Sequence, residues 1–178
     1  MKVLAIDPSG SFKHGSGTTG WCIVEKENKK IIELGNIKAK DYKTREDYFN
    51  AHKRLFDYEF DILVIENFIL YQSTASSLFN QELETSELIG LICGVAQEHH
   101  KKIVRQKAAV VKPILKKNSI LLSLINQKTK QIELRTSAKD RVQWYLIKEK
   151  PIRLSNHIMD SIRHAFYYLN TEEKNVPN

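Results

Sequence analysis

Three acids stand where carboxylates can act together. Asp7 ends the apolar run KVLAID, Glu66 ends the apolar run DILVIE, and Asp160 falls in the first turns of a helical pattern near the C-terminus. In an open α/β sheet, groups at the carboxyl ends of neighbouring strands converge on one rim, the usual place for a site. Grouped carboxylates repel one another unless a cation neutralises them. Oxygen ligands that leave several waters in place suit Mg²⁺ or Mn²⁺, and a pair of such ions about 3.5 to 4 Å apart stabilises both the attacking and the leaving oxygen of a phosphodiester. Each acid alone has a plainer reading: Asp7 before Pro8 begins a turn, Glu66 closes a strand, and Asp160 favours a helix N-terminus. Together they point to metal-assisted hydrolysis. His157 lies three residues before Asp160 and shares its helix face, apart from the apolar set Ile158, Ile162, Ala165, Phe166 and Leu169. An imidazole is thereby set beside the carboxylate, as a metal ligand or proton carrier requires. His164 is read as structural.

The elements that must position these groups follow from periodicity. KVLAID is a buried strand running into the turn Pro8-Ser9-Gly10, and a Gly, Ser and Thr-rich loop leads to two more strands, Gly20 to Val24 and Lys30 to Ile37, in an antiparallel meander. Thr44 caps a helix whose apolar face holds Tyr48, Ala51, Leu55 and Phe56. DILVIE is a central strand covered on both faces. A long helix from about Ser76 to His100 buries Leu83, Leu88, Leu91, Ile92 and Val95, and its Gly90 and Gly94 imply close approach to another backbone. Lys102 to Arg105 reads as a fifth strand and Ala108 to Lys117 as a short basic helix interrupted near Pro113. Residues 118 to 137 give no firm pattern, Ile120 to Ile125 reading as helix or strand and Gln131 to Arg135 as a possible strand. Ser137 is expected to cap a helix from Ala138 to Ile147, and Asn156 a last helix from His157 to Leu169 with a polar tail from Thr171. The order makes an α/β fold, an antiparallel opening with parallel additions, in one domain over residues 1–170 and a tail over 171–178.

Composition narrows the partner. The 178 residues are 42% hydrophobic and 28% charged, which excludes a disordered or fibrous chain, and two cysteines far apart suggest neither a disulfide scaffold nor a zinc module. A reduced, cytoplasmic setting is expected, with no signal peptide and no membrane span. The net charge is +7, and between Lys101 and Arg153 stand 15 Lys and Arg against Glu133, Asp140 and Glu149 alone. That asymmetry reads as a basic surface for a polyanion, or else as a solvated lysine face.

At these residues the chain resembles a family. AIDPSGSFKHGSGTTGWCIVE, DILVIENF and HIMDSIRHAFYYL are similar, in order, to the first, second and last motifs of RuvC-type Holliday-junction resolvases of the ribonuclease H-like superfamily. The resemblance implies a five-stranded mixed sheet flanked by helices and a crossover-junction endonuclease using Mg²⁺ or Mn²⁺, two ions to a site. Asp7, Glu66, His157 and Asp160 would be the ligands, His157 being the variant choice. VVKPIL and SAKDRVQWYL resemble the segments that carry two basic residues, which places Lys112 and Lys139 at the phosphates. The segment between those lysines is longer than in the family. Phe68, Tyr71 or Phe79 would stack on a base at the branch point, or else serve as core or dimer contacts. Lys101, Lys102, Arg105, Lys107, Lys116, Lys117 and Arg141 would join Lys112 and Lys139 in holding DNA. The resemblance also implies a homodimer, whose twofold axis lets two sites cut symmetric strands.

Other readings stay open. The same chemistry acts on RNA, on flap DNA or on three-way branches, and the source is cellular or phage. An inactive junction-binding protein is disfavoured because binding alone gives no reason to gather repelling carboxylates. No GK[ST] phosphate loop occurs, so no nucleotide cofactor is expected.

Overall fold

The apolar runs become the centre of a five-stranded mixed sheet. The computed structural model describes residues 1–13, 15–68, 75–115, 131–136, 139 and 142–174. Its main sheet contains β1 (Lys2–Asp7), β2 (Thr18–Glu25), β3 (Lys30–Lys38), β4 (Ile62–Asn67) and β5 (Lys102–Lys107) in the order β3-β2-β1-β4-β5. β2 pairs antiparallel with β1 and β3, whereas β4 runs parallel to β1 and β5. The asymmetry follows from connection length. A four-residue turn, residues 26–29, returns β2 into β3 directly, while each parallel step is bridged by a helix.

Both faces of the sheet are covered, which is why β1 and β4 are continuous apolar runs. Side chains alternate between the faces. Val3, Ala5 and Val64 pack with Ile158, Ile162, Ala165 and Phe166 of α4 (Asn156–Lys174). Leu4, Ile6, Leu63 and Ile65 pack with Tyr48 and Ala51 of α1 (Arg45–Lys53) and with Leu88 and Ile92 of α2 (Ala75–Glu98). Thr44 caps α1 as its sequence signature implies, its hydroxyl accepting from Asp47 N at 3.0 Å. A short α3 (Ala108–Ile114) follows β5.

The structure corrects four expectations. Residues 142–146 are not helical: a second, three-stranded antiparallel sheet is formed by β6 (Ile132–Thr136), β7 (Val142–Leu146) and β8 (Ile152–Arg153). VQWYL is β-branched and aromatic, and cross-strand pairing with β6 outweighs the cap that Ser137 would offer a helix. The last helix is capped by Ser155, whose Oγ accepts from Ile158 N at 3.2 Å, with Asn156 already its first residue. That helix runs through Thr171 to Lys174, so the polar tail starts later than its composition implied. Gly90 and Gly94 meet no close backbone: a Cβ at either would have nothing within 4 Å among the described residues. The candidate elements between 118 and 130 lie outside the described residues.

The small sheet rests on the edge of the large one. Ile132 and Leu146 enter the core beside α4, Gln131 Oε1 accepts from Ile31 N at 3.2 Å, and Lys148 Nζ donates to Ile32 O at 2.9 Å. These contacts cover β3, an edge strand that would otherwise present unpaired backbone groups. Among the described residues, no helix is long and apolar enough to cross a membrane.

Candidate active site

Asp7, Glu66 and Asp160 come to one rim, each carried by a different element. Parallel pairing of β1 with β4 sets Asp7 and Glu66 at adjacent strand ends, and α4 brings Asp160 across them. Gly20 permits that crossing. It lies opposite Asp7 in the β1–β2 register, and a Cβ there would fall 2.1 Å from the backbone carbon of His157. The first turn of α4 therefore lies directly on β2, where any side chain at position 20 would wedge it away. The contact delivers His157 to Asp7, Nδ1 to Oδ2 at 2.9 Å.

The loop after β1 is tied down by buried polar contacts. Thr19 Oγ1 accepts from Ser9 N at 3.1 Å and lies 2.8 Å from His52 Nε2, while the Tyr48 hydroxyl donates to Ser9 O. Thr85 Oγ1 and Glu84 Oε2, both on α2, accept from Gly10 N and Phe12 N at 3.0 Å each. Gly10 is required here, since its absent Cβ would stand 2.2 Å from Glu84 backbone. Such satisfaction of buried donors and acceptors fixes a loop as firmly as a strand.

Lys112 sits among the acids. Its Nζ is 3.4 Å from Glu66 Oε2 and 3.3 Å from Asp160 Oδ2. Arg163 holds the arrangement: it donates to Asp160 Oδ1 at 2.9 Å and to the carbonyls of Leu115 and Lys112 at 2.8 and 2.5 Å, locking α3 to α4. His164 is buried, with Nε2 2.7 Å from Glu66 Oε2 and Nδ1 2.8 Å from Gln106 Oε1. It is a satisfied core histidine, in keeping with its structural reading, whose second nitrogen also holds the Glu66 carboxylate.

The electrostatics reflect this crowding. Burial, aided by Glu66 and Asp160, pushes the Asp7 carboxyl above its ordinary value despite the hydrogen bond from His157. Burial also pushes Glu66 upward, but His164 and Lys112 outweigh it, and the net shift is down. Lys112 is raised, because Glu66, Asp160 and Asp7 outweigh its partial desolvation. His157 is raised by its hydrogen bond to Asp7. The Asp7 carboxyl is thus left short of positive charge, which a divalent cation would supply. Among the described residues, no three acids or imidazoles already form a coordination shell. Lys112 Nζ lies between two of the carboxylates. The donor chemistry nonetheless fits Mg²⁺ or Mn²⁺: hard carboxylate oxygens with one imidazole, around a cleft of about 340 Å³ that Asp7, Lys112, His157, Asp160 and Phe68 help to line.

The remaining candidates are placed variously. Phe68 is half-buried against the core as well as lining the cleft. Lys107 and Arg105 are exposed, Lys107 at the carboxyl end of β5. Lys101 and Lys102 lie at the opposite end of that strand, Lys101 donating to Phe60 O and Lys102 to the Tyr168 hydroxyl. Lys139 is exposed at a turn between β6 and β7 and has no described contact with the acids. Tyr71, Lys116, Lys117, Arg141 and the side chain of Phe79 lie outside the described residues. The missed contributors had partial signals. His164 is seven residues from His157, hence on the same helix face, and Arg163 is three from Asp160. Gln106 had none, since only the β4–β5 register places it opposite Glu66.

No family model and no curated protein matches the chain. Among solved structures it is similar to T. thermophilus RuvC in complex with a Holliday junction substrate, at 13% identity over 97% of this chain and 96% of that one, TM-score 0.65. It is also similar to the fowlpox virus Holliday junction resolvase, at 17% identity over 96% of this chain and 99% of that one, TM-score 0.53. The fold is the ribonuclease H-like fold of RuvC-type resolvases.

Proposed function

We propose that this chain, with the fold of the RuvC-type resolvases, is a metal-dependent endonuclease that cuts branched DNA, four-way junctions foremost. The observation that carries the reading is the convergence of Asp7, Glu66 and Asp160 around Lys112 at the carboxyl rim of the sheet. Structural maintenance gives no reason to bury Asp7 beside two further acids at an electrostatic cost to its charged form. The similarity to two junction resolvases supports branched DNA over other phosphodiesters.

Asp7, Glu66, His157 and Asp160 would hold two ions, Mg²⁺ or Mn²⁺. Bound there, the metal supplies a water of lowered pKa and neutralises charge on the leaving oxygen. His164 and Gln106 keep the Glu66 carboxylate in one orientation, and Arg163 does so for Asp160. With Nδ1 on Asp7, His157 has Nε2 left, partly open to solvent, to ligate an ion or, where the carboxylates alone hold the ions, to take or return a proton. Lys112, once the acids are otherwise neutralised, is free to donate to a phosphate oxygen; Lys139 would do so from the small sheet. Gly90 and Gly94 leave room on α2 for a second copy, as symmetric cutting by a homodimer requires. The buried free thiols of Cys22 and Cys93 suit a reducing cytoplasm.

Cleavage of end-labelled four-way, three-way, flap, duplex and RNA substrates, with Mg²⁺, Mn²⁺ or EDTA, tests the reading. Metal-dependent paired nicks near the four-way branch are expected. Cutting confined to RNA or flaps would move the substrate assignment, and binding without cutting under any metal would leave a junction-binding protein.

A further inference from the structure

Beside the acid cleft a second groove of about 720 Å³ opens between the end of the β2–β3 hairpin and the small sheet. Lys38 of β3, Trp144 of β7 and Arg153 of β8 line it, with Asn156 and His157 at the start of α4. Those last two also line the acid cleft, so groove and cleft are continuous. Among the described residues no carboxylate lines the groove. Among the described residues neither Lys38 nor Arg153 makes an ion pair, although Arg135 and Lys148 of the same small sheet are neutralised by Glu133 and Glu33. Unneutralised cations on facing walls, leading to a site for phosphodiesters, distinguish this groove from an ordinary solvated surface.

Its walls are also fixed in place. Ser155 Oγ donates to Asn36 Oδ1 at 2.8 Å, joining the start of α4 to β3, and Leu154 N donates to Trp144 O at 2.9 Å. Trp144 is half-buried and packs against the core, so its indole is held without needing a ligand. A held aromatic in a groove that two cations also line is a combination that can seat a nucleic-acid strand, phosphates on the charges and a base on the ring.

We propose that this groove holds the DNA strand that flanks the scissile phosphate, with Lys38 and Arg153 on its backbone phosphates and Trp144 against a base. The proposal rests on the nuclease reading above and extends it to the small sheet. Neither contact type reads sequence, so the groove positions the strand without selecting it.

The chain has two tryptophans, and Trp21 is buried, which makes Trp144 the indole that responds to a ligand in the groove. Titrating wild type in EDTA with a four-way DNA junction should quench tryptophan fluorescence, and Trp144→Phe should lose the quenching. At about 0.9 of salt slope per phosphate, K38A/R153A should flatten the dependence of log K on log salt by about 1.8 and weaken binding roughly thirtyfold at 0.15 M salt. Thermal melts of the variants check that they fold. If wild type cuts the junction, yet Trp144 is not quenched and K38A/R153A binds with unchanged affinity and slope, the groove assignment is overturned and the nuclease reading stands. A wild type that neither binds nor cuts branched DNA overturns both.

Discussion

The two sheets of this molecule are built on different terms. In the five-stranded sheet, β1 and β4 bury every residue from Val3 to Ile6 and from Ile62 to Ile65, with helices on both faces. The three-stranded sheet buries Ile132 and Leu146, while Glu133 to Thr136 of β6 are exposed. All three acids stand on the large sheet or on the helix packed against it. The small sheet contributes one wall of the groove and exposed basic residues. On the proposed function, the groups that must keep sub-ångström relations are fixed by the core, and those assigned to a long, variable polyanion ride on a lightly anchored appendage.

Substitutions can break or sharpen that contrast. The largest effect is expected at Gly20, where even a methyl group would collide with the backbone of His157. Gly20→Ala should cost about 4 kcal/mol or more, at the exceptional end for a single substitution, and should separate His157 from Asp7. Urea melts read the first effect. A melt unchanged from wild type would show that the α4 contact is not what fixes the rim.

Next comes the buried network behind the loop that follows β1. Desolvation pushes His52 down to about 4 from its ordinary 6.5, despite hydrogen bonding to the carbonyls of Tyr48 and Phe49. The unfolded chain therefore takes up a proton near pH 6.5 that the folded chain refuses until near pH 4. The contribution is whole above pH 6.5 and is lost as pH falls toward 4, on the order of 3 kcal/mol at the limit by linkage. Ring-proton titration should show His52 still neutral at pH 5, and a midpoint near 6.5 would place it outside the tight region.

In the small sheet the effects shrink. Ile132→Val should cost about 1 kcal/mol, and amide exchange should accelerate in β6 and β7 while β1 and β4 keep their protection. Equal acceleration in both sheets would mean that they open as one unit, contrary to the contrast drawn here. Arg135→Ala, which removes an exposed pair with Glu133, should change stability by less than about 0.5 kcal/mol in a thermal melt.

The same contrast governs what could be read from the amino acids. DILVIE can hardly be anything but a covered strand, and the three motif acids sit at the ends of such strongly patterned elements. VQWYL has two readings, and only its pairing with IELRT decides between them. Within the site, residues tied to a motif by helix spacing, such as Arg163 and His164, were legible in principle. Gln106 and Gly20 were not, because their roles depend on strand register and on how closely α4 lies on β2.

The central claim is that Asp7, Glu66 and Asp160 form a hydrolytic centre and not a structural knot. Single-turnover cleavage of an end-labelled four-way junction by wild type and by Asp7→Asn, in Mg²⁺ and in EDTA, tests it most directly. The account predicts paired nicks near the branch for wild type in Mg²⁺ alone, with cleavage reduced by about 10³-fold or more in Asp7→Asn while junction binding persists. Undiminished cleavage by Asp7→Asn, or cleavage indifferent to EDTA, would contradict it.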